Sequence, residues 1–341
     1  MKPGSESVGD GEAIGGKPVI AITMGDPAGI GPEIVSKAIA DPEVLENAIP
    51  LVVGAQGAFR EFGSIPAFEN AADAIASGRP ALLDIGDTGL DFSPGCLSVE
   101  CGRLAGKSIE AAVDLCQKGI AGAMATAPIN KQSFAMGGYE FPGHTEFLAH
   151  LTSTSNFRMS FFAGDLRVVL LTTHLPLVEA IRAITVANLV RLIVFTNDAL
   201  GALLGRRVTI AVAGLNPHAS EGGMFGDEEQ RIFEPAIRES AAGGVLVTGP
   251  YSPDTIFLRG FKGEFDAVIA CYHDQATIAV KGISFGKGVN VTLGLPIIRT
   301  SVDHGTAFEI AGKGIADTSS MKEAILVASR LARVKSEKAR T

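Results

Sequence analysis

The 341-residue chain has no tryptophan and only three tyrosines, so few rings are present to stack on nucleic-acid bases. It also lacks a dense run of lysine and arginine before its last dozen residues, and its formal net charge is -8. Clustered positive charge is what neutralises a phosphate backbone, so no nucleic-acid partner is expected. The basic stretch 330–340 reads instead as the solvated face of a last helix. Four cysteines, Cys96, Cys101, Cys116 and Cys271, include no C-x-x-C pair. A chain this long needs no disulfide framework, so reduced thiols in a cytoplasmic compartment are expected. No apolar run reads as long enough to cross a membrane, and the greasiest, such as 208–215, are strand-sized. No membrane partner is expected either. Residues 1–16 are rich in glycine, serine and acids without the apolar segment of a secretory signal, and read as a disordered leader.

What the chain does have is apolar residues (46%), with 41 glycines and 17 prolines: ample core material joined by many tight connections. The length suggests two domains, or one large α/β unit split by a cleft. Short β-branched runs bounded by Gly or Pro at 19–23, 51–54, 123–126, 168–172, 208–213, 267–271 and 289–292 predict buried strands. Helix-period segments lie between them, at 106–119, 185–204, 228–241 and 319–334. The first places Ile109, Ala112, Val113 and Cys116 on one face. Strands alternating with helices predict parallel sheets flanked by helices, with ligands at the carboxyl ends of strands.

No G-x-G-x-x-G follows a predicted strand, so the usual dinucleotide fingerprint is missing. Gly102-Arg-Leu-Ala-Gly-Lys-Ser108 resembles a phosphate loop but is one residue short and has no strand before it. Met24-Gly-Asp-Pro-Ala-Gly-Ile-Gly-Pro-Glu33 follows the first strand and leads into a helix near Pro32. It reads as a tight βα turn, or as the floor of a cofactor or substrate site.

Three of the six histidines, His174, His218 and His273, sit where predicted strands end. Strand ends far apart in sequence meet along one edge of a parallel sheet, so these imidazoles can converge on zinc or another divalent metal. Any one of them alone reads more simply as structural. His144 and Thr145 open a probable helix and suit an anion; an N-capping Thr beside a bystander His is the competing reading. His150, inside that helix, reads as structural. Lys281, Asn290 and Arg299 lie in Gly- and Pro-punctuated sequence near strand ends. A guanidinium such as Arg299, following an apolar stretch, needs an anionic partner or an opening to solvent.

The segments MGDPAGIGPEI, TAPINK, PGHTEFLA, TTHLPL, GLNPHASEGG, GPYSPDTIF, YHDQ and GKGVNVTLGLPIIRTSVDHGTAFEIAGKGIAD resemble the 4-hydroxythreonine-4-phosphate dehydrogenase family, in its order, from about Lys17 to Arg333. That family is similar to the isocitrate and isopropylmalate dehydrogenases, and 303–317 resembles their adenosine-binding loop. The resemblance implies two α/β/α domains with a cleft between them: 17–142 plus 288–341 on the cofactor side, 143–287 on the metal and dimer side. It implies His174, His218 and His273 as ligands to one divalent metal per site (Zn, Co, Mg or Mn), drawn from both subunits of a homodimer. It implies His144, Thr145, Lys281, Asn290 and Arg299 around a small phosphorylated hydroxy acid. It also implies His304, Gly305 and Asp317 at the adenosine end of NAD or NADP.

Two departures bear on the substrate: Ser220 stands where the family usually has glycine, and Ala276-Thr-Ile278 replaces the common residues after Tyr272-His-Asp-Gln275. They leave D-threonate or D-erythronate 4-phosphate open beside 4-phosphohydroxy-L-threonine. Retention of His144 and Thr145 argues against the dihydrodiol-oxidising relatives, whose substrates carry no phosphate. The implied reaction is oxidation followed by decarboxylation, with Asp254 or Lys281 as candidate proton acceptor. A metal-dependent phosphohydrolase or lyase would use the same histidines without a nucleotide, and a non-catalytic phosphosugar-acid binding protein would hold its ligand without ever reducing NAD.

Overall fold

The computed structural model describes residues 16–63, 65–86, 91–284 and 287–340; the leader expected over 1–16 lies, except for Gly16, outside them. Twelve strands run through the described residues. In chain order they are β1 (Val19–Thr23), β2 (Ile49–Gly54), β3 (Ala67–Phe68), β4 (Ala81–Asp84), β5 (Ala123–Thr126) and β6 (Arg158–Ala163). β7 (Leu166–Leu170), β8 (Thr209–Ala213), β9 (Leu246–Tyr251), β10 (Ala267–Ala270), β11 (Val289–Leu293) and β12 (Arg299–Ser301) follow. The chain divides into two compact units, Met1–Thr154 with Leu295–Arg340, and Ser155–Gly294.

In the first unit the strand order is β3-β4-β2-β1-β5-β12, parallel throughout. β1 and β2 are buried at every position, as expected for strands covered on both faces. One face is covered by helix Val99–Gln117, whose Ile109, Ala112 and Val113 join Leu51, Val53 and Met124 in the core. Each of the larger side chains, Ile109, Val113, Leu51, Val53 and Met124, contributes about 1.5–3 kcal/mol by leaving water. Helix Ser319–Arg340 also buries an apolar stripe, Met321, Ala324, Ile325, Ala328 and Leu331. Helix His144–Leu151 belongs to this unit, with Phe147 and Leu148 in its core.

The phosphate-loop look-alike lies inside helix Val99–Gln117, which is capped by the Ser98 hydroxyl accepting from Cys101 N. Its glycines serve packing. A Cβ on Gly102 would sit 1.7 Å from Ser133 O, and one on Gly106 would lie 1.9 Å from the Tyr139 ring. Amides committed to a helix interior cannot cradle phosphate.

In the second unit the order is β11-β6-β7-β10-β8-β9. β7, β10, β8 and β9 are parallel, but β6 runs antiparallel to both β7 and β11, a departure from the all-parallel expectation. The cause is local: Gly164 and Asp165 alone connect β6 to β7, and Gly164 has φ +57°. Two residues make a hairpin, never a parallel crossover.

The expectation that no apolar stretch reaches spanning length fails at helix Val186–Leu204, 19 residues whose most apolar 18 have a mean hydropathy of 1.4. Its pattern is amphipathic: Leu189, Leu192, Ile193, Thr196 and Leu200 are buried, while Arg191 and Asp198 face outward. The helix expected over 228–241 begins as a π-turn, Glu229–Phe233, and continues as Glu234–Ala242.

Candidate functional site

β7, β10 and β8 lie side by side in parallel, and His174, His273 and His218 follow their carboxyl ends. The structure brings two of these together: the His174 and His273 ring centroids are 5.6 Å apart. His273 opens helix His273–Ser284, and its Nδ1 lies 3.4 Å from Asp274 Oδ1. The His218 ring packs instead near Phe225, with centroids 6.3 Å apart. Among the described residues no three His, Cys, Asp or Glu side chains gather closely enough to hold a metal ion.

His218 stands in an unusual backbone. His218, Ala219, Ser220, Glu221 and Gly222 all have positive φ, between 45° and 69°. Each non-glycine residue held left-handed costs about 1–2 kcal/mol, so surrounding contacts must impose the run. They come from Glu229, a buried carboxylate that sequence reasoning missed. Glu229 Oε1 accepts from the amides of Leu215 and Asn216, each at 2.8 Å, and Oε2 accepts from Asn216 Nδ2 at 2.9 Å and from the Ser220 hydroxyl. Burial pushes this carboxyl up, but the donors from Asn216 and Ser220 outweigh it and hold the group below the usual glutamate range.

A second cluster forms in the first unit. Arg299, the first residue of β12, is 3% exposed, and its Nε and Nη2 donate to Thr126 Oγ1 at 3.2 and 2.9 Å. Burial pushes its guanidinium down to about 10, against the attraction of Glu146. His144 starts its helix, with Thr145 half-buried beside it. The His144 Nε2 is buried and makes no hydrogen bond. Burial, then the charges of Arg299 and Lys131, hold this imidazole well below the ordinary histidine range. A neutral ring whose buried nitrogen has no hydrogen-bond partner, beside two cations, can receive an anion. Lys131 was not singled out from sequence; Asn130, which caps its helix by accepting from Gln132 N and Ser133 N, places it there.

The remaining candidates are spread. Lys281 is exposed on helix His273–Ser284, whereas Asn290 in β11 has a buried Oδ1 without a hydrogen-bond partner. Asp254 is exposed in the first turn of helix Pro253–Phe261. His304 is exposed, with Nδ1 3.0 Å from Gly305 O. The Asp317 carboxylate accepts from the Ser319 amide and hydroxyl, which lower its pKa, and His304 adds to the effect. His304, Gly305 and Asp317 thus share one neighbourhood in the first unit.

The glycine-rich turn holds a further buried carboxyl. Gly25 has φ +71°, and a Cβ there would lie 2.4 Å from Pro128 O; the turn is pinned by Asp26 N donating to that oxygen. Asp26 Oδ1 accepts from Ala28 N at 2.9 Å, while Oδ2 is buried. Burial pushes Asp26 up to about 6 from 3.8, against opposing hydrogen bonds. The folded chain therefore holds this proton more tightly than the unfolded chain. The resulting stability is fully present below about pH 4 and is lost as pH rises through about 6. Urea unfolding should show wild type losing about 3 kcal/mol relative to Asp26→Asn between about pH 4 and pH 8. A difference that stays flat with pH would mean that Asp26 is not a buried acid.

Comparison with known proteins covers both units. Residues 34–328 match the family described as pyridoxal phosphate biosynthetic protein PdxA. The chain is 44% identical over 328 residues to a 4-hydroxythreonine-4-phosphate dehydrogenase of Geobacter metallireducens, covering 94% of this chain and 97% of that one. It is 41% identical over 324 residues to a D-threonate 4-phosphate dehydrogenase of Salmonella typhimurium, covering 92% and 98%. The crystal structure of 4-hydroxythreonine-4-phosphate dehydrogenase from Klebsiella pneumoniae superposes with a TM-score of 0.83 at 40% identity, covering 93% of this chain and 100% of that one. With sequence and fold agreeing over nearly the whole chain, the protein belongs to the PdxA family and is a dehydrogenase.

Proposed function

We propose that this dehydrogenase oxidises, with decarboxylation, a small phosphorylated hydroxy acid, 4-phosphohydroxy-L-threonine to 3-amino-2-oxopropyl phosphate, in the cytoplasm. The observation that carries the phosphate is the open, buried His144 Nε2 beside Arg299 and Lys131. A dianionic group there gains charge-assisted hydrogen bonds from Arg299 and Thr145 in a site that excludes water. Lys281 and Asn290 contribute further substrate contacts, the buried Asn290 Oδ1 accepting from a substrate hydroxyl.

His174, His218 and His273 would hold one divalent metal, with His174 and His218 from one subunit and His273 from a second copy of the chain in a homodimer. Zinc, cobalt, magnesium or manganese would supply Lewis acidity at a hydroxyl and carboxylate, and NAD or NADP would accept the electrons. Asp254 or Lys281 takes the hydroxyl proton. His304, Gly305 and Asp317 hold the adenosine end, making the first unit the cofactor side and the second the metal and dimer side.

A second reading, D-threonate or D-erythronate 4-phosphate, is favoured by Ser220 and by Ala276-Thr-Ile278, which alter the segments that carry His218 and His273. NADH absorbance against all three phosphorylated acids, each with the four metals, separates these substrates. Dialysis against a chelator is expected to abolish the signal and added metal to restore it. Full NADH production in metal-free protein would end the Lewis-acid reading, and phosphate release without NAD would favour a hydrolase.

A further inference from the structure

We infer that Glu229 is the positioning residue for His218: its buried carboxylate folds the segment after β8 into the left-handed turn that presents this imidazole. The inference deepens the metal reading above and rests on it only for the identity of what His218 binds. Of the left-handed run only Gly222 favours the turn by itself. His218, Ala219, Ser220 and Glu221 are held left-handed although none is glycine. Isolated left-handed residues are tolerated at turns, but four consecutive non-glycine ones persist only when outside contacts fix them.

Glu229 supplies those contacts from the following helical segment. Its two oxygens gather the Leu215 and Asn216 amides, the Asn216 side chain and the Ser220 hydroxyl, bracketing His218 on both sides. The side chain is 2% exposed, so water cannot stand in for it. Gly214 is packed against the same group: a Cβ there would lie 3.1 Å from Glu229 Oε1. Ser220, the departure from the family's usual glycine, takes a direct part. It gives up glycine's ease at φ +69° and gains a hydroxyl donor to the carboxylate. Supporting partners of this kind set the affinity of a metal-binding histidine by fixing its orientation.

The test uses Glu229→Gln in the full-length protein, a substitution that keeps the shape but turns an amide NH2 toward a nest of donors. Two readouts are needed: the exchange rates of the Leu215 and Asn216 amides, and the affinity for cobalt(II) followed by its visible absorption. Both amides are expected to exchange faster, and cobalt(II) to bind about ten- to a hundredfold more weakly, with circular dichroism unchanged. If Glu229→Gln fails to fold, Ser220→Ala and Ser220→Gly take its place. The alanine variant keeps the unfavourable backbone without the hydroxyl and should lose more affinity than the glycine variant.

Unchanged exchange at both amides would overturn the inference, as would unchanged cobalt(II) affinity in a variant whose turn has loosened. Failure of the wild type to bind cobalt(II) would instead remove the metal reading, and amide exchange would still decide whether Glu229 holds the turn.

Discussion

Co-expressing His218→Ala and His273→Ala chains is expected to return about a quarter of wild-type activity, although each variant alone is inactive. The proposed homodimer, with the ligands of each metal drawn from both subunits, leads to this expectation. In the proposed two-fold dimer each site takes His174 and His218 from one subunit and His273 from the other. A mixed dimer then has one site carrying both defects and one carrying neither. Random reassortment makes about half of the dimers mixed, each with one of two sites intact. Isolating the mixed species through two different tags should give about half of wild-type activity per dimer. An inactive doubly tagged dimer would show that all three histidines of a site belong to one chain.

Arg299→Ala is expected to lower kcat/KM for the phosphorylated substrate by about thirtyfold to several thousandfold. The range corresponds to about 2–5 kcal/mol for truncating one partner of a buried charge pair. Much of that loss is the cost of leaving the substrate's anion facing a buried neutral imidazole, His144, with no guanidinium beside it. The KM for NAD should move little, because the Arg299 guanidinium pairs with Thr126 and is proposed to hold the substrate's anion, not the adenosine end. Arg299→Lys separates charge from geometry, since lysine keeps the charge but cannot reproduce the fork that donates twice to Thr126. Unaltered turnover by Arg299→Ala would remove this residue from the site.

Much of the scaffold was legible because buried parallel strands are written in β-branched residues. β1 and β5 fall where the sequence places them, and the other predicted strands are displaced by a few residues at most. β6, reading RMSFFA, has no β-branched residue, and β9 carries Gly249 and Pro250, so neither announced itself. The histidines were visible because each follows a strand end. Lys131, Asp26 and Glu229 were not, for a different reason. Glu229 acts on amides more than ten residues away, and Asp26 becomes a weak acid only once folding has buried it. The phosphate-loop look-alike was misleading for the same reason in reverse, since its glycines answer to Ser133 and Tyr139, which local sequence does not reveal.

The first unit is assembled from two separated stretches of chain, whereas the second is one continuous stretch. β12 pairs with β5, Ile297 joins the first unit's core, and helix Ser319–Arg340 buries its own apolar stripe. During synthesis the ribosome therefore releases every residue of the second unit before the first can complete its sheet. The order of maturation is the reverse of the order of translation: the segment made first waits, with one side of its core open, for the segment made last.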